Sequence, residues 1–369
     1  MYNEEICRIA LTMIRGIGPV QAKNLMAHFE SASDIFKASK RDLSRIEGIG
    51  EIRAKDIKAF DLFSDAAAEI AFCEKHHIEP LFLTDKHYPQ KLLHCYDAPT
   101  LLYYRGNADL NEQKIISIIG TRNNTEYGRQ VTENIIKGLA GLPVLIVSGL
   151  AFGIDSIAHK AALQYQLPTV GVLAHGMDTI YPSQHKSMAK EMLLNGGLLT
   201  EFRQSTKPDK HNFPRRNRIV SGICDATIVV ETAAKGGSMI TAELTYNYNR
   251  ELFAVPGKLT DPKSSGCNKL IHQNKALMFT SVEHFLLEMG WDTPQKPKPV
   301  KQPTLFTDLN EEEKIIVELL AQQPFVCIDE LYLKSGLSSS SVAAALLNLE
   351  IQNLVCGLPG KRYQLVRDL

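Results

Sequence analysis

A cluster of arginines beside an aromatic ring is the strongest chemical signal in this amino-acid sequence. Arg215, Arg216 and Arg218 fall within four residues, among Phe213 and Asn217. Guanidinium groups form paired hydrogen bonds with phosphate oxygens, and an exposed aromatic ring is a surface on which any nucleobase can stack. This combination predicts a site for a phosphate-bearing polymer with exposed bases.

Turns rich in glycine or hydroxyl groups follow three short apolar runs, and each turn precedes a predicted helix. The free N–H groups at the start of a helix bind anions, and a neighbouring arginine can clamp the same phosphate. Several such niches along one sheet edge suit a strand of phosphates better than a single mononucleotide. The turns are Gly120-Thr121-Arg122, Ser148-Gly149 and Gly236-Gly237-Ser238.

The overall charge of the chain gives it no general attraction to nucleic acid. Lys+Arg and Asp+Glu both number 41 in 369 residues, so the formal net charge is zero. A polyanion site must therefore be a local concentration of basic groups. The stretch from Phe202 to Arg218 meets this requirement, with six basic residues and one acid, Asp209. Alternatively, these arginines pair with Glu201 and Glu231 and stabilise the sheet edge, an interpretation that fits Arg218 well.

Short apolar runs alternate with helix-length segments over residues 112–291, which predicts right-handed β-α-β crossovers in a mostly parallel, extended Rossmann-like sheet. Ligands bind such sheets at the carboxyl ends of the strands. The GxGxxG fingerprint is absent after the first strand, so we expect no nicotinamide or flavin cofactor. The predicted strands are 115–119, 144–147, 169–173, 198–200, 226–230 and 252–255, and the predicted helices include 127–140, 153–166 and 238–248.

The N-terminal segment, residues 1–65, is predicted to be helical. Its two Gly-Ile-Gly turns resemble a tandem helix-hairpin-helix of the SAM-like type. The turn amides can meet a DNA phosphate in that motif; alternatively, the glycines only permit tight turns. Residues 66–111 are predicted to connect this segment to the core, with a helix over 66–73, a short strand over 79–83 and an extended run over 101–104.

The C-terminal segment, residues 311–369, is predicted to be a winged helix that follows a Pro-rich linker over 292–310. Three helices and a hairpin occur in the order of DNA-binding helix-turn-helix variants. The candidate recognition helix, however, contains no Lys or Arg, and such side chains make many of the contacts to base edges. A protein-binding or accessory role is therefore favoured over DNA reading.

Asp155 and His159 lie four residues apart, on one face of a predicted helix. They form an acid–base pair in one interpretation. In the other, Asp155 caps or charges the helix N-terminus and His159 bonds to it. No nucleophile accompanies them, so the structural interpretation is favoured and we assign no catalytic residue.

The composition indicates an intracellular setting. The seven cysteines include no CxxC pair, which argues against a zinc site or a disulfide framework. The N-terminus lacks the features of a signal peptide, and no apolar run approaches the length of a membrane span. We therefore expect a soluble cytoplasmic protein.

Ordered blocks of residues across the core resemble the DprA/Smf family, the DNA-processing proteins of natural transformation. The flanking segments are similar to the helical and winged-helix domains of that family. The blocks are Ile118-Ile119-Gly120-Thr121-Arg122, Ser148-Gly149-Leu150-Ala151, Gly153-Ile154-Asp155, Ala158-His159, Tyr181-Pro182, Phe213-Pro214, Arg216-Asn217-Arg218, Gly237-Ser238, Ile240-Thr241-Ala242, Phe253-Ala254-Val255-Pro256-Gly257, Gly266 with Asn268, and Leu270-Ile271.

The resemblance implies a non-catalytic protein that binds single-stranded DNA without sequence preference. It also implies a homodimer that loads a RecA-type recombinase onto incoming DNA, and Phe213 as the base-stacking partner. Thr121 stands where the family more often has Ser, which keeps the hydroxyl. The predicted DNA-binding residues, from the resemblance and the arginine cluster together, are Gly120, Thr121, Arg122, Ser148, Gly149, Lys186, Phe213, Arg215, Arg216, Asn217, Arg218, Gly237 and Ser238.

A second class of function also has a sequence signal. The segment from Gly236 to Glu243 is a distant match to the GGxGTxxE signature of phosphoribohydrolases on a related fold. Met239 and Ile240 replace the small residues that make room for the nucleotide phosphate in that signature. The mismatch favours DNA binding over nucleotide hydrolysis.

Overall fold

A nine-stranded sheet is the central element of residues 3–291. The computed structural model of the protein describes these residues together with 309–323, 325–352, 354–358 and 361–365. The chain divides into two units between residues 292 and 293, and most of the predicted linker, 292–310, lies outside the described residues. Within these described ranges, no helix has the length and apolar character needed to cross a lipid bilayer.

Six helices precede the sheet and confirm the predicted helical N-terminal segment. Their shared core includes Leu11, Leu25 and Ile57. Gly16 (φ +76°) and Gly48 (φ +78°) form the two hairpin turns in a backbone conformation that strains other residues. The helices are α1 (Glu4–Met13), α2 (Pro19–His28), α3 (Ala32–Lys37), α4 (Lys40–Ser44), α5 (Gly50–Lys58) and α6 (Phe63–His76).

The strands of the sheet are β1 (Glu79–Phe82), β2 (Leu101–Gly106), β3 (Ile115–Ile119), β4 (Leu145–Ser148), β5 (Thr169–Val172), β6 (Gly196–Thr200), β7 (Ala226–Val229), β8 (Glu251–Ala254) and β9 (Leu277–Met278). Their order is β1-β2-β6-β5-β4-β3-β7-β8-β9. The pairs β1–β2 and β2–β6 are antiparallel, and the strands from β6 to β9 pair in parallel. The predicted, mostly parallel α/β core is therefore confirmed.

The structure corrects one expectation about the chain between the helical segment and the core. We expected residues 66–111 to be a connecting segment, but they include β1 and β2, which extend the sheet beyond β6. The side chains of Leu101 and Tyr103 on β2 join the core of the N-terminal helices, whereas Leu102 and Tyr104 join the core of the sheet. Strand alternation thus lets one strand serve both cores.

Helices cover both faces of the sheet. On β3, Ile115 and Ile119 face one apolar cluster, whereas Ile116 and Ile118 face the other. Helix α11 carries the arginine cluster, to which the sequence analysis assigned no element. The helices of this region are α7 (Gln90–Leu93), α8 (Glu126–Leu139), α9 (Ile154–Gln164), α10 (Lys186–Met192), α11 (Asn212–Ile223), α12 (Gly237–Asn247), α13 (Ser265–His272) and α14 (Val282–Glu288), and a 3-10 turn spans Ser183–His185.

The strand order reverses direction at the pair β3–β7. From β3 the chain continues to β4, β5 and β6 on one side, whereas from β7 it continues to β8 and β9 on the other. Connections that diverge in this way leave a crevice outside the carboxyl ends of the two strands. The topology therefore places a crevice next to β3 and β7, where such sheets commonly bind ligands.

The second unit confirms the predicted winged helix. Its three-stranded sheet has the order β10-β12-β11 and is antiparallel. The predicted hairpin corresponds to β11 and β12, and its turn at 359–360 lies outside the described residues. The elements are α15 (Glu311–Ala321), β10 (Val326–Cys327), α16 (Ile328–Ser335), α17 (Ser339–Ile351), β11 (Val355–Leu358) and β12 (Arg362–Leu365).

Candidate nucleic-acid interface

A pocket of about 560 Å³ lies at the crevice between β3 and β7. The turns that follow β3, β4 and β7 form its floor, and the first turns of α11 and α12 form its walls. Two helix N-termini add the positive ends of their dipoles to this pocket. The predicted site residues that line it are Gly120, Thr121, Arg122, Gly149, Phe213, Arg216, Asn217, Gly237 and Ser238.

The turn after β3 presents Arg122 to solvent. The amide of Thr121 donates to the carbonyl of Glu231 at 2.7 Å, and its hydroxyl accepts from the amide of Asn123 at 3.2 Å. A Cβ at Gly120 would lie 2.5 Å from the Ile154 side chain, so only glycine allows this close approach. The fixed turn leaves the Arg122 guanidinium carbon 4.9 Å from the centroid of the Phe213 ring.

Arg216 is the second arginine of the pocket, and it is buried, with 4% of its surface exposed. Its Nη1 donates to the carbonyls of Gly149 and Val172, and its Nε donates to Oδ1 of Asn217 at 3.1 Å. Burial lowers the pKa of Arg216 to about 10, so the side chain is charged at neutral pH. Nη2 has no hydrogen-bond partner in the described parts of the chain, so it remains free to donate to a bound group.

The niche predicted at Ser148-Gly149 is filled by the protein itself. Oδ2 of Asp155 accepts the amides of Gly149 at 3.1 Å and of Ala151 at 3.4 Å. The Ser148 hydroxyl is buried and donates to the carbonyl of Ile118 at 2.7 Å. Asp155 therefore occupies the position expected for an anion, and Ser148 does not reach the pocket. Burial raises the pKa of Asp155, which the Arg216 charge opposes.

The bond predicted between Asp155 and His159 is wrong. The ring Nδ1 of His159 lies 2.7 Å from the hydroxyl of Thr169, behind the pocket. Burial, together with the charges of His185 and Arg216, lowers the pKa of His159 to about 3. A neutral, buried imidazole of this kind has a structural role, as the sequence analysis favoured.

The turn after β7 supplies backbone donors. Helix α12 begins at Gly237, and the amides in the first turn of a helix have no acceptor within the helix. Asn217 donates its Nδ2 to the carbonyl of Gly237 at 3.3 Å, which joins α11 to this turn. A Cβ at Gly237 would meet nothing within 4 Å, so this glycine keeps the pocket open and does not relieve a clash.

Three other predicted site residues lie outside the pocket. Arg218 is buried and pairs with Glu201. Arg215 is exposed, but its Nη2 lies 3.3 Å from Oε2 of Glu201 and its guanidinium lies over the Phe202 ring. Lys186 is exposed at the start of α10 and lines no described pocket. The buried Arg218 thus makes the ion pair of the sheet-edge interpretation, whereas Arg215 makes only a solvent-exposed contact with the same carboxylate.

Two lysines that the sequence analysis did not place in the site line the pocket. Lys210 precedes α11 and Lys235 precedes α12, and both are exposed. Lys210 belongs to the basic stretch, and Lys235 adjoins the glycines of the turn after β7. The sequence signal that could have placed these lysines in the site was their position next to the motifs, because a single lysine on a loop belongs to no pattern of its own.

The helix-hairpin-helix turns are held by hydrogen bonds within the protein. The amide of Gly18 donates to Oε1 of Gln21 at 3.2 Å. Arg53 donates to the carbonyls of Gly16 and Gly48, both at 2.8 Å. The amide of Gly18, one of the turn amides considered for a phosphate, is thus satisfied within the protein. Elsewhere in the described ranges, no group of three or more His, Cys, Asp or Glu side chains is placed to hold a metal ion.

Comparisons with protein families match three parts of the sequence. The family described as "DNA recombination-mediator protein A" matches residues 79–290. A SAM-like helix-hairpin-helix tandem matches residues 9–60, and the DprA winged helix domain matches residues 296–361. The first match begins at β1, in agreement with the sheet.

Comparisons with individual proteins and solved structures also give members of this family. Protein Smf of Synechocystis is 33% identical in an alignment that covers 98% of this chain and 99% of the relative. The structure of DNA processing protein A from Streptococcus pneumoniae superposes with a TM-score of 0.64 at 31% identity, over 78% of this chain and 98% of that one. DNA processing protein A from Helicobacter pylori, described with a single-stranded DNA binding mode, gives 0.53 at 31% identity, over 57% and 95%.

Proposed function

Because the chain belongs to the DprA/Smf family of DNA-processing proteins, we propose that it binds single-stranded DNA without sequence preference in the pocket outside β3 and β7. One observation carries the proposal. Arg122, the free donor of Arg216 and the first turn of α12 converge on one pocket beside the half-buried Phe213 ring. The Helicobacter pylori relative, described with a single-stranded DNA binding mode, supports it.

The chemistry of the pocket fits a strand of phosphates with unpaired bases. Guanidiniums and backbone amides bind phosphate oxygens regardless of base, and an aromatic ring stacks on any base. A duplex keeps its bases stacked inside, so it gains nothing from Phe213. Binding is therefore expected to favour single strands, to be indifferent to sequence, and to weaken as salt rises.

The proposal extends to partners and cellular role. The protein acts as a homodimer in the cytoplasm, protects incoming DNA in natural transformation and loads a RecA-type recombinase onto it. The family description as a recombination mediator supports this role. Its test is the nucleation of recombinase filaments on DNA already covered by a single-strand-binding protein, with and without this protein. Unchanged nucleation would contradict the loading role and leave DNA binding intact.

The function is proposed to be non-catalytic. Glu243, the acid of the phosphoribohydrolase-like signature, places both carboxylate oxygens within 2.8 Å of Nζ of Lys275 and does not line the pocket. The acid that does line it, Asp155, is bonded to two backbone amides. These contacts support the proposal that neither carboxylate acts on a bound nucleotide.

A binding titration tests the DNA proposal. A single-stranded and a duplex oligonucleotide of the same length are titrated at two salt concentrations. Tighter binding of the single strand and a clear loss of affinity at the higher salt are expected. Equal affinity for both, or salt-independent binding, would overturn the proposal. Release of free base from a nucleoside monophosphate would instead support the phosphoribohydrolase.

A further inference from the structure

Two exposed aromatic side chains continue the surface that begins at Phe213. Tyr181 is 49% exposed and Phe152 is 43% exposed. The Tyr181 ring centroid lies 6.3 Å from that of Phe213, with the planes tilted by 53°. A base can cover rings exposed to this degree at little desolvation cost, and the rings offer it area for stacking.

These rings border a smaller pocket that is continuous with the first. Phe152, Tyr181 and Phe213 line it, and it shares Arg122 and Arg216 with the larger pocket. A phosphate held between these arginines would therefore have an aromatic wall within reach of its base. Continuity with a phosphate site argues for a nucleobase as the occupant.

Two buried histidines contact these residues: His175 holds the backbone at Tyr181, and His185 packs against the Phe152 ring. The amide of Tyr181 donates to Nε2 of His175 at 3.2 Å, and His175 Nδ1 lies 2.8 Å from the carbonyl of Gly176. Phe152 packs edge-on against His185, with the ring centroids 5.1 Å apart. A stacking surface that is ordered before the ligand arrives costs less entropy on binding.

Resting on the proposed DNA-binding function, we infer that Tyr181 and Phe152 form a second nucleobase-stacking subsite, next to the one at Phe213. The strand passes with its phosphates over the larger pocket and its bases toward the aromatic wall. One base stacks on Phe213, the next on Tyr181, and Phe152 closes the far end. The site thus holds consecutive nucleotides and not a single flipped base.

The test combines one variant with one defect in the DNA. Wild type and Tyr181→Leu are titrated with oligothymidylates that are intact or carry a single abasic position, moved stepwise along the strand. Tyr181→Leu should weaken binding of the intact strand by about 5- to 20-fold. For wild type, one abasic position should cause a similar loss, and at that position Tyr181→Leu should add no further loss.

Matched variants separate stacking from folding. Tyr181→Phe and Tyr181→Trp keep a ring and should bind as wild type or more tightly. Tyr246→Leu removes a tyrosine of similar exposure (47%) outside both pockets and should bind as wild type. If Tyr181→Leu does not fold, tighter binding by Tyr181→Trp together with the wild-type abasic scan still tests the subsite.

Each outcome has a distinct meaning. If wild type binds single strands and Tyr181→Leu binds equally well, or is weakened equally on intact and abasic strands, the subsite is overturned. The proposed function then still stands. Wild type that does not bind single strands overturns both.

Discussion

The guanidinium carbon of Arg122 lies 4.9 Å from the centroid of the Phe213 ring, across the mouth of the pocket. The cation comes from the turn after β3 and the ring from the first turn of α11, so two separate elements build one contact. A cation over a ring is stabilised by the ring quadrupole. In the proposed function, the same pair offers a charge to a phosphate and a flat surface to a base.

Replacing Arg122 with Ala is expected to weaken single-stranded DNA binding about 10-fold at physiological salt, because one charge-assisted phosphate contact is lost. The slope of log affinity against log salt should decrease by about 0.7 for each lost phosphate contact on single strands. Thermal stability should hardly change, since Arg122 is exposed. Arg41→Ala, an exposed arginine on α4, controls for the change in net charge. Equal affinity and slope for both variants would remove Arg122 from the site.

Replacing Arg216 with Met is expected to lower stability as well as binding. The change leaves the carbonyls of Gly149 and Val172 without their donor and the buried Asp155 without a nearby cation. Removing one partner from a buried charge pair costs about 3 kcal/mol. Denaturant unfolding of Arg216→Met beside Arg122→Ala measures the difference. The double change Arg216→Met with Asp155→Asn should cost less than the sum of the two single changes. Full additivity would show that the two charges are not coupled.

Replacing two glycines of the pocket with alanine should affect stability at one of them and not at the other. Gly120→Ala places a methyl group 2.5 Å from Ile154, so the turn after β3 must shift and the protein should be destabilised by about 1–3 kcal/mol. Gly237→Ala meets nothing within 4 Å and should leave the melting temperature nearly unchanged. If the α12 turn holds a phosphate closely, Gly237→Ala should nevertheless weaken DNA binding. Melting curves and titrations on both variants check this contrast, and equal destabilisation would contradict it.

Acid should destabilise the protein in part through His159. Its pKa is about 3 in the folded protein, against about 6.5 for a free imidazole. Between these values the unfolded chain binds a proton that the folded protein does not, so the free energy of unfolding falls as pH falls. From pH 7 to 4.5 this contribution should amount to about 2–3 kcal/mol.

The measurement is unfolding across that pH range for wild type and His159→Gln, and the difference between them isolates the histidine. His272→Gln, an exposed histidine at the end of α13, should follow the wild-type curve. Parallel curves for wild type and His159→Gln would show that His159 does not titrate in this way.

Much of the core was predictable because its signals are local. Apolar runs of four or five residues predicted the strands from β3 to β8 to within one or two residues at each end. Parallel strands carry their carboxyl ends to one edge, so the turns at Gly120, Gly149 and Gly237 were predicted to meet, and all three line the pocket. The family resemblance read from these blocks is confirmed by the family match. The place of β1 and β2 in the sheet was missed, because β1 joins the sheet only through β2, and β2 pairs with β6 from much later in the chain. Such long-range pairing leaves no signal in the local sequence.

The sequence by itself determined that guanidiniums, glycines and an aromatic ring would gather at the carboxyl edge of a parallel sheet. Only the tertiary structure decided which of them line the pocket. Successive side chains on a helix point about 100° apart, so Arg215, Arg216 and Arg218 of α11 reach different surroundings. The packing of α11 turns Arg216 toward the pocket and leaves Arg215 and Arg218 beside Glu201. Likewise, only the fold brings the carboxylate of Asp155 to the amides of Gly149 and Ala151 and so fills a niche that the motif alone left open for phosphate.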